Sequence, residues 1–226
     1  MGIAWFRKVA ELAAHRAPHR APHRAPRLKL PIWGFCVLAV FMNLLLSNFS
    51  MNFLRLPLFL DTVFTAAIVF TFGLAPGMFV AILSWLLPVL YWGGFHLFVI
   101  CGVAEVLLIW ALKPAALVIP YFASKEWKIA SYTGLAARLV ILYIVCAMAI
   151  SVLGGMIDYA TRLFPEMDLR YFSPEDTFRP ALVMADFPLI AENILVRVPV
   201  NLADRFVVVF GGYFISRGLV RLTRRK

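Results

Sequence analysis

Charged side chains inside apolar stretches are the residues of this sequence best placed to do chemistry. Asp61 lies early in the apolar run from Leu56, and Glu105 lies near the middle of a later one. Asp204 and Arg205 open the last apolar run of the chain. A charge inside a bilayer is costly, so such residues usually mark a ligand site, a proton relay or a buried ion pair.

Catalytic and metal-binding patterns are absent from the sequence. We find no Ser-His-Asp spacing, no zinc-ligand pair and no phosphate-binding glycine loop. Cys36, Cys101 and Cys146 each lie inside an apolar run without pairing or ligand spacing, so we interpret them as packing residues. The sequence therefore predicts a protein that is not an enzyme and has neither a cofactor nor a bound metal.

The elements that must position these charges are membrane helices. The chain has 226 residues, of which 62% are hydrophobic and only 15% charged, and its mean hydropathy is +0.85. A helix crosses the hydrocarbon core of roughly 30 Å with about 20 apolar residues. Six runs fit this length, and they predict an all-α, polytopic bundle of six transmembrane helices: Ile32 to Phe49, Leu56 to Phe72, Gly77 to Trp92, Phe95 to Leu112, about Thr133 to Gly155, and Leu202 to Val220.

Two of these runs are predicted to form a tight helical hairpin. Only Gly73, Leu74, Ala75 and Pro76 join the second run to the third. Glycine suits a helix C-terminus and proline suits the first turn of the next helix, where its missing N–H costs nothing. In this interpretation Asp61 lies about a turn and a half inside the second helix.

Polar segments divide the chain into three parts. Residues 1–31 contain His-Arg-Ala-Pro three times, and a proline at every fourth position excludes a continuous helix, which predicts a disordered basic tail. Residues 32–222 form the membrane domain, with an outer loop at about 156–200. Residues 223–226 are a basic C-terminal end.

The distribution of basic residues predicts the orientation. With both termini in the cytoplasm, fifteen Lys and Arg lie inside, and five lie outside: Arg55, Arg162, Arg170, Arg179 and Arg197. The positive-inside rule selects this arrangement. The net charge of +10 thus reflects contact with the lipid bilayer, because no nucleic-acid-binding module is recognisable. We expect a multi-pass protein of a bacterial cytoplasmic (inner) membrane.

This topology brings distant charges to one level of the membrane. Asp61, Asp204, Arg205 and Arg197 all fall in its outer half. They either pair with one another or hold a ligand, and Asp204 and Arg205 alone could simply lie at the interface. Glu105 lies deeper and has no partner nearby in the sequence, so it is either a packing residue or a proton site.

Short motifs in the same regions resemble a transporter family. Leu60-Asp61-Thr62, Gly73-Leu-Ala-Pro76-Gly77 and Pro199-Val-Asn201-Leu-Ala-Asp204-Arg205, followed by Phe210-Gly-Gly-Tyr213, are similar to the S components of energy-coupling factor (ECF) vitamin transporters. The resemblance covers most of the chain from Leu56 to Leu219.

The resemblance implies a function for the outer charges. An S component binds a vitamin-like molecule near the outer surface, and a coupling transmembrane protein with two ATPase subunits drives its release inward. The ligand-binding residues would then be Asp61, Asp204, Arg205, Arg197 and Asn201. The family often presents an Ala-xxx-Ala face on its first helix to the coupling protein, whereas this chain has Ala39, Asn43 and Ser47.

Two other functions remain open from the sequence. One is a ligand-sensing membrane protein without transport, and the other is a structural membrane protein of the MreD type. A ligand that copurifies with the protein would favour binding, whereas a partner complex without ATPases would favour a structural role.

Overall fold

Helices make up all the regular structure in the parts of the chain that the computed structural model describes, which are residues 32–56, 58–92, 97–113, 125–163 and 179–224. The helices are α1 (Ile32–Asn48), α2 (Val63–Phe72), α3 (Leu74–Trp92), α4 (Val99–Leu112), α5 (Lys125–Leu163), α6 (Arg179–Met184), α7 (Leu189–Leu195), α8 (Arg197–Phe206) and α9 (Gly212–Arg224). Two π-helical turns, Phe49–Phe53 after α1 and Val207–Gly211 between α8 and α9, extend these helices. The expected all-α class is confirmed for these ranges.

The short helix α2 lies at the centre of the bundle. Its residues Val63 and Thr65 to Phe70 are buried, and it packs against α1, α3, α4 and α9. Gly212 of α9 allows a close approach, because a Cβ there would lie 2.7 Å from the Cβ of Ala66. A helix of ten residues that is covered on every side serves as the core of the bundle rather than as a surface that faces lipid.

The start of α2 differs from the sequence prediction. Helical structure begins at Val63, not at Leu56, so Asp61 precedes the helix instead of lying inside it. Leu60 adopts a left-handed backbone conformation, with φ at 47°, which is uncommon for a residue with a branched side chain. The chain therefore enters α2 through a non-helical turn that contains Leu60 and Asp61.

The predicted hairpin is present but tighter than expected. Gly73, at φ 93°, is the single residue between α2 and α3, and α3 begins at Leu74. Pro76 lies in the first turn of α3, where a proline costs no hydrogen bond. A side chain at position 73 would be strained by this φ value although nothing crowds it.

The C-terminal third of the chain is more helical than predicted. Helix α5 continues through Leu163, and α6 falls inside the predicted outer loop. Helix α7 also lies in that loop, within the apolar segment Phe187 to Val198 for which the sequence predicts a short helix. Pro199 lies in the first turn of α8, where its missing N–H costs no hydrogen bond. From Arg197 to Arg224 the backbone is helical throughout, with one π-helical turn.

Polar residues are buried and apolar residues are exposed in much of this bundle. Glu105, Asn43 and Asp204 are at most 1% exposed, whereas Phe53 is 74% exposed and Leu90 72%. Soluble proteins rarely expose apolar side chains over such extended surfaces. The distribution is the one expected for helices whose outer surface meets lipid.

Within the described ranges, two helical stretches are long and apolar enough to cross a membrane, Ile32–Phe53 and Tyr132–Leu163. Val63–Phe72, Leu74–Leu90 and Val99–Leu112 are apolar but shorter. The predicted tail at residues 1–31 and the last two residues lie outside the described ranges.

Candidate functional site

A cluster of charged residues forms where the start of α2 meets α4 and α8. Thr62, Glu105, Asp204 and Arg205 are buried, and Asp61 is half-buried. Arg205 of α8 is at its centre and is 5% exposed. Its Nη1 donates hydrogen bonds to Oε2 of Glu105 on α4 and, over 2.8 Å, to the hydroxyl of Thr62. Its Nη2 lies 2.8 Å from Oδ2 of Asp204. We call Asp61, Thr62, Glu105, Asp204 and Arg205 the charged cluster.

Asp204 connects this cluster to the strained turn before α2. Its Oδ1 accepts a hydrogen bond of 2.8 Å from the backbone N–H of Leu60, the residue with positive φ. A sparsely populated conformation of this kind costs about 1–3 kcal/mol and persists only where surrounding contacts hold it. The bond to Asp204 therefore fixes the backbone next to Asp61.

Asp61 is the member of the cluster with the fewest partners. Its Oδ1 is buried and accepts no hydrogen bond. The charges that act most strongly on its carboxylate are the attractive Arg205 and the repulsive Asp204 and Glu105. Glu105 Oε1 and Arg205 Nε are also buried without a partner. The cluster thus holds three carboxylates around one guanidinium and keeps unused donors and acceptors.

Two further polar pairs continue from the cluster along α8. Asn201 donates a hydrogen bond of 3.0 Å to Ser151 of α5. One turn before it, Arg197 Nε pairs with Asp158 of α5 over 2.7 Å, and its guanidinium lies 4.8 Å from the ring centroid of Phe98. We call these two pairs, together with the charged cluster, the polar ladder.

A separate polar contact joins α1, α2 and α3. The side-chain amide of Asn43 donates to Thr65 over 2.8 Å and to Ser84 over 3.3 Å, and its oxygen accepts from the backbone N–H of Phe64. Ala39, on the same face of α1, is also buried. This face packs inside the bundle, so it does not offer the free surface that the family resemblance implies for a coupling protein.

The structure brings together most of the residues singled out from the sequence. Asp204 and Arg205 pair with each other and are buried rather than interfacial. Asp61 lies near enough for their charges to act on its carboxylate. Arg197 and Asn201 lie on the same face of α8 but make their own pairs with α5. Glu105 was expected to lack a partner and instead pairs with Arg205.

Thr62, Ser151 and Asp158 were not predicted as site residues. Thr62 directly follows Asp61. Ser151 belongs to a stripe of small residues at every fourth position, Ala147, Ser151 and Gly155, a spacing that favours close packing of helices. That stripe does pack closely, since a Cβ on Gly155 would lie 2.6 Å from the Cα of Ile194. Ser151 shows that the same stripe also carries a polar contact.

A metal centre does not form in the part of the chain that the structure describes, since no three His, Cys, Asp or Glu side chains there are arranged to hold an ion. Comparison of the chain with family models, curated proteins and solved structures finds no match. The resemblance to ECF S components therefore remains a prediction from short motifs.

Proposed function

We propose that this chain is a multi-pass membrane protein that binds a small, vitamin-like molecule at the charged cluster. The observation that carries the proposal is the set of unused polar atoms in a buried site. Asp61 Oδ1, Glu105 Oε1 and Arg205 Nε have no partner. Buried polar groups in native proteins are nearly always hydrogen-bonded, so an unsatisfied set in one place suggests that a ligand completes it.

The chemistry of the site favours a neutral or cationic ligand. Three carboxylates face one guanidinium, so a strongly anionic molecule would meet a surplus of negative charge. A hydroxyl, amide or amine group could donate to Asp61 and Glu105 while a ligand carbonyl accepts from Arg205 Nε. These donors and acceptors match a small polar heterocycle better than a phosphate.

Transport is the biological role that we propose for this binding. In the predicted topology, with six spans and both termini in the cytoplasm of a bacterium, the cluster lies in the outer half of the membrane. An ECF-type coupling protein and ATPase subunits would then drive release inward. Because Ala39 and Asn43 are buried, such a partner would contact another surface of the bundle.

The test begins with identifying the ligand. Native mass spectrometry of the gently purified protein should show a bound small molecule, and that molecule should be absent or weakly retained in Asp61→Asn. The matched control is Asp186→Asn, the same chemical change at an exposed position between α6 and α7. Asparagine also tolerates the positive φ of position 186.

The outcome also separates the alternative functions. Equal retention of the molecule by the wild type and Asp61→Asn would exclude the cluster as its binding site. Copurification with ATPase subunits would support transport, whereas a stable complex without ATPases and without a ligand would support a structural role.

A further inference from the structure

The charged cluster contains more negative than positive charge. Asp61, Glu105 and Asp204 contribute three carboxylates, and Arg205 contributes the positive charge that they share. Among the described residues, Cys101 of α4 and Cys146 of α5 are titratable side chains near these charges. A thiol carries no positive charge in either protonation state, so these cysteines cannot supply the missing cation.

Arg197 is the next cation along α8, and its position does not correct the imbalance. It is bound to Asp158, two helical turns from Arg205. That ion pair already uses one carboxylate outside the cluster. An uncompensated carboxylate inside a buried site is costly, so the cluster needs a positive charge or a proton from elsewhere.

The hydrogen bonds within the cluster indicate which carboxylate is neutralised. Asp204 accepts from Leu60 N–H and lies against Arg205 Nη2, and Glu105 accepts from Arg205 Nη1. Asp61 makes no ion pair within 4.0 Å among the described residues, and its Oδ1 has no partner. Neutralising Asp61 therefore breaks fewer hydrogen bonds and ion pairs than neutralising Asp204 or Glu105.

We propose that Asp61 carries an exchangeable proton. A proton from water adds to one carboxylate oxygen and forms an O–H bond, and no other bond changes; on release the proton returns to water. The protonated group can donate to a neighbouring carboxylate, which an ionised Asp61 cannot do.

The polar ladder provides the route to this proton. Its pairs lie at Arg197, Asn201 and Arg205, four residues apart on α8, so successive pairs are separated by about 6 Å along the helix. Asp158, at the far end, is the most exposed member of its pair, with 18% of its side chain accessible. Polar side chains thus extend from the accessible end of α8 to the cluster.

Infrared spectroscopy tests the proton directly and needs no ligand. The purified full-length chain at neutral pH should show the carbonyl stretch of a buried carboxylic acid, which should disappear at alkaline pH. Asp61→Asn should lack this band, because asparagine mimics the protonated form without titrating. Asp186→Asn should keep it.

Two results would overturn the proposal. One is a wild-type spectrum without the band at any pH. The other is a band that persists in Asp61→Asn and disappears in Glu105→Gln, which would assign the proton to Glu105. If Asp61→Asn fails to fold, Asp61→Glu provides a second variant, whose carbonyl band should shift in frequency if this residue carries the proton.

The proposed route along the polar ladder is tested separately, by the rate of hydrogen–deuterium exchange. Ser151→Ala removes the middle hydrogen bond of the ladder without touching the cluster, so it should slow deuterium exchange of the carboxylic acid several-fold while leaving the band itself unchanged. An unchanged exchange rate would exclude this route.

This inference concerns the same cluster as the proposed function, but the two can fail independently. If the carbonyl band of the carboxylic acid is missing but ligand binding still depends on Asp61, only the proposed proton on Asp61 is excluded. If the carbonyl band is present but mass spectrometry shows no bound molecule, only the proposed ligand site is excluded.

Discussion

Arg205 is the residue on which the buried charges of this bundle depend. It pairs with Glu105 and Asp204 and also donates to Thr62, and so it joins α4 and α8 to the turn before α2. Removing one member of a buried ion pair strands the other, which costs more than the pair itself contributes to stability. Arg205 therefore stabilises the fold mainly by preventing two carboxylates from being buried alone.

A double-mutant cycle tests this role. Arg205→Gln should destabilise the protein by up to about 3–5 kcal/mol, because it leaves Glu105 and Asp204 without their cation. Glu105→Gln should cost less, because Arg205 keeps its ion pair with Asp204. The double variant should recover part of that loss, as measured by unfolding in detergent. Purely additive losses would show that the two side chains do not interact in the native protein.

Asp61 should behave differently from its neighbours. Asp61→Asn keeps the shape of the side chain and breaks no ion pair, so unfolding stability should change little while ligand affinity falls by about 0.5–1.5 kcal/mol, the range for a hydrogen bond between uncharged groups. Calorimetry with the ligand identified by mass spectrometry measures the affinity. If Asp61→Asn is strongly destabilised and recovers when combined with Arg205→Gln, Asp61 serves only as a partner of the arginine.

Asn43 is predicted to be structural. Asn43→Leu leaves Thr65, Ser84 and the N–H of Phe64 without their partner, and each stranded buried group costs roughly 1–3 kcal/mol. Thermal unfolding should show a clear loss of stability. The same substitution at Asn48, an exposed position on α1, is the control and should have a much smaller effect.

At the scale of elements, α8 has its polar face turned inward. Arg197, Asn201, Asp204 and Arg205 are buried, whereas Phe206 is exposed. In a water-soluble protein the apolar face of such a helix would be buried and the polar face exposed. In a membrane bundle the apolar face contacts lipid, and the polar side chains pair with one another inside the bundle. The same arrangement places all of these polar groups against α4, α5 and the turn before α2.

The contact between α5 and α7 depends on a glycine. At Gly155 a Cβ would come within 2.6 Å of backbone in α7, whereas at Gly134, on the same helix, nothing lies within 4 Å. Gly155→Ala should therefore destabilise the protein by about 1–3 kcal/mol through overpacking. Gly134→Ala should be neutral or slightly stabilising, because alanine favours a helix over glycine. Thermal unfolding of the two variants makes the comparison, and equal midpoints would contradict the close packing.

At the scale of the whole molecule, the membrane orientation is the property most open to test. The excess of Lys and Arg at both ends of the chain predicts that reporter fusions at Lys125 and Lys226 are cytoplasmic and that one near Asp176 is external. A cytoplasmic reading at Asp176 would exclude the six-span topology. The proposed position of the charged cluster in the outer half of the membrane would then be lost as well.

The sequence by itself determined the class of the protein and the residues worth attention. Long apolar runs favour helices, because a helix pairs every backbone polar group within its own segment. The cost of burying charge singled out Asp61, Glu105, Asp204 and Arg205 without any structure. The hairpin at Gly73 followed from local backbone preferences, which depend on neighbouring residues only.

Tertiary structure alone decided how those residues are paired. Glu105 and Arg205 are 100 residues apart, and hydropathy carries no information on how far each helix is rotated about its axis. The predicted start of α2 at Leu56 was also wrong, since the helix begins at Val63. An apolar stretch such as Leu56 to Leu60 is compatible both with a helix and with a turn. The contact from Asp204 to Leu60 stabilises the turn, and that contact exists only once α8 has packed beside it.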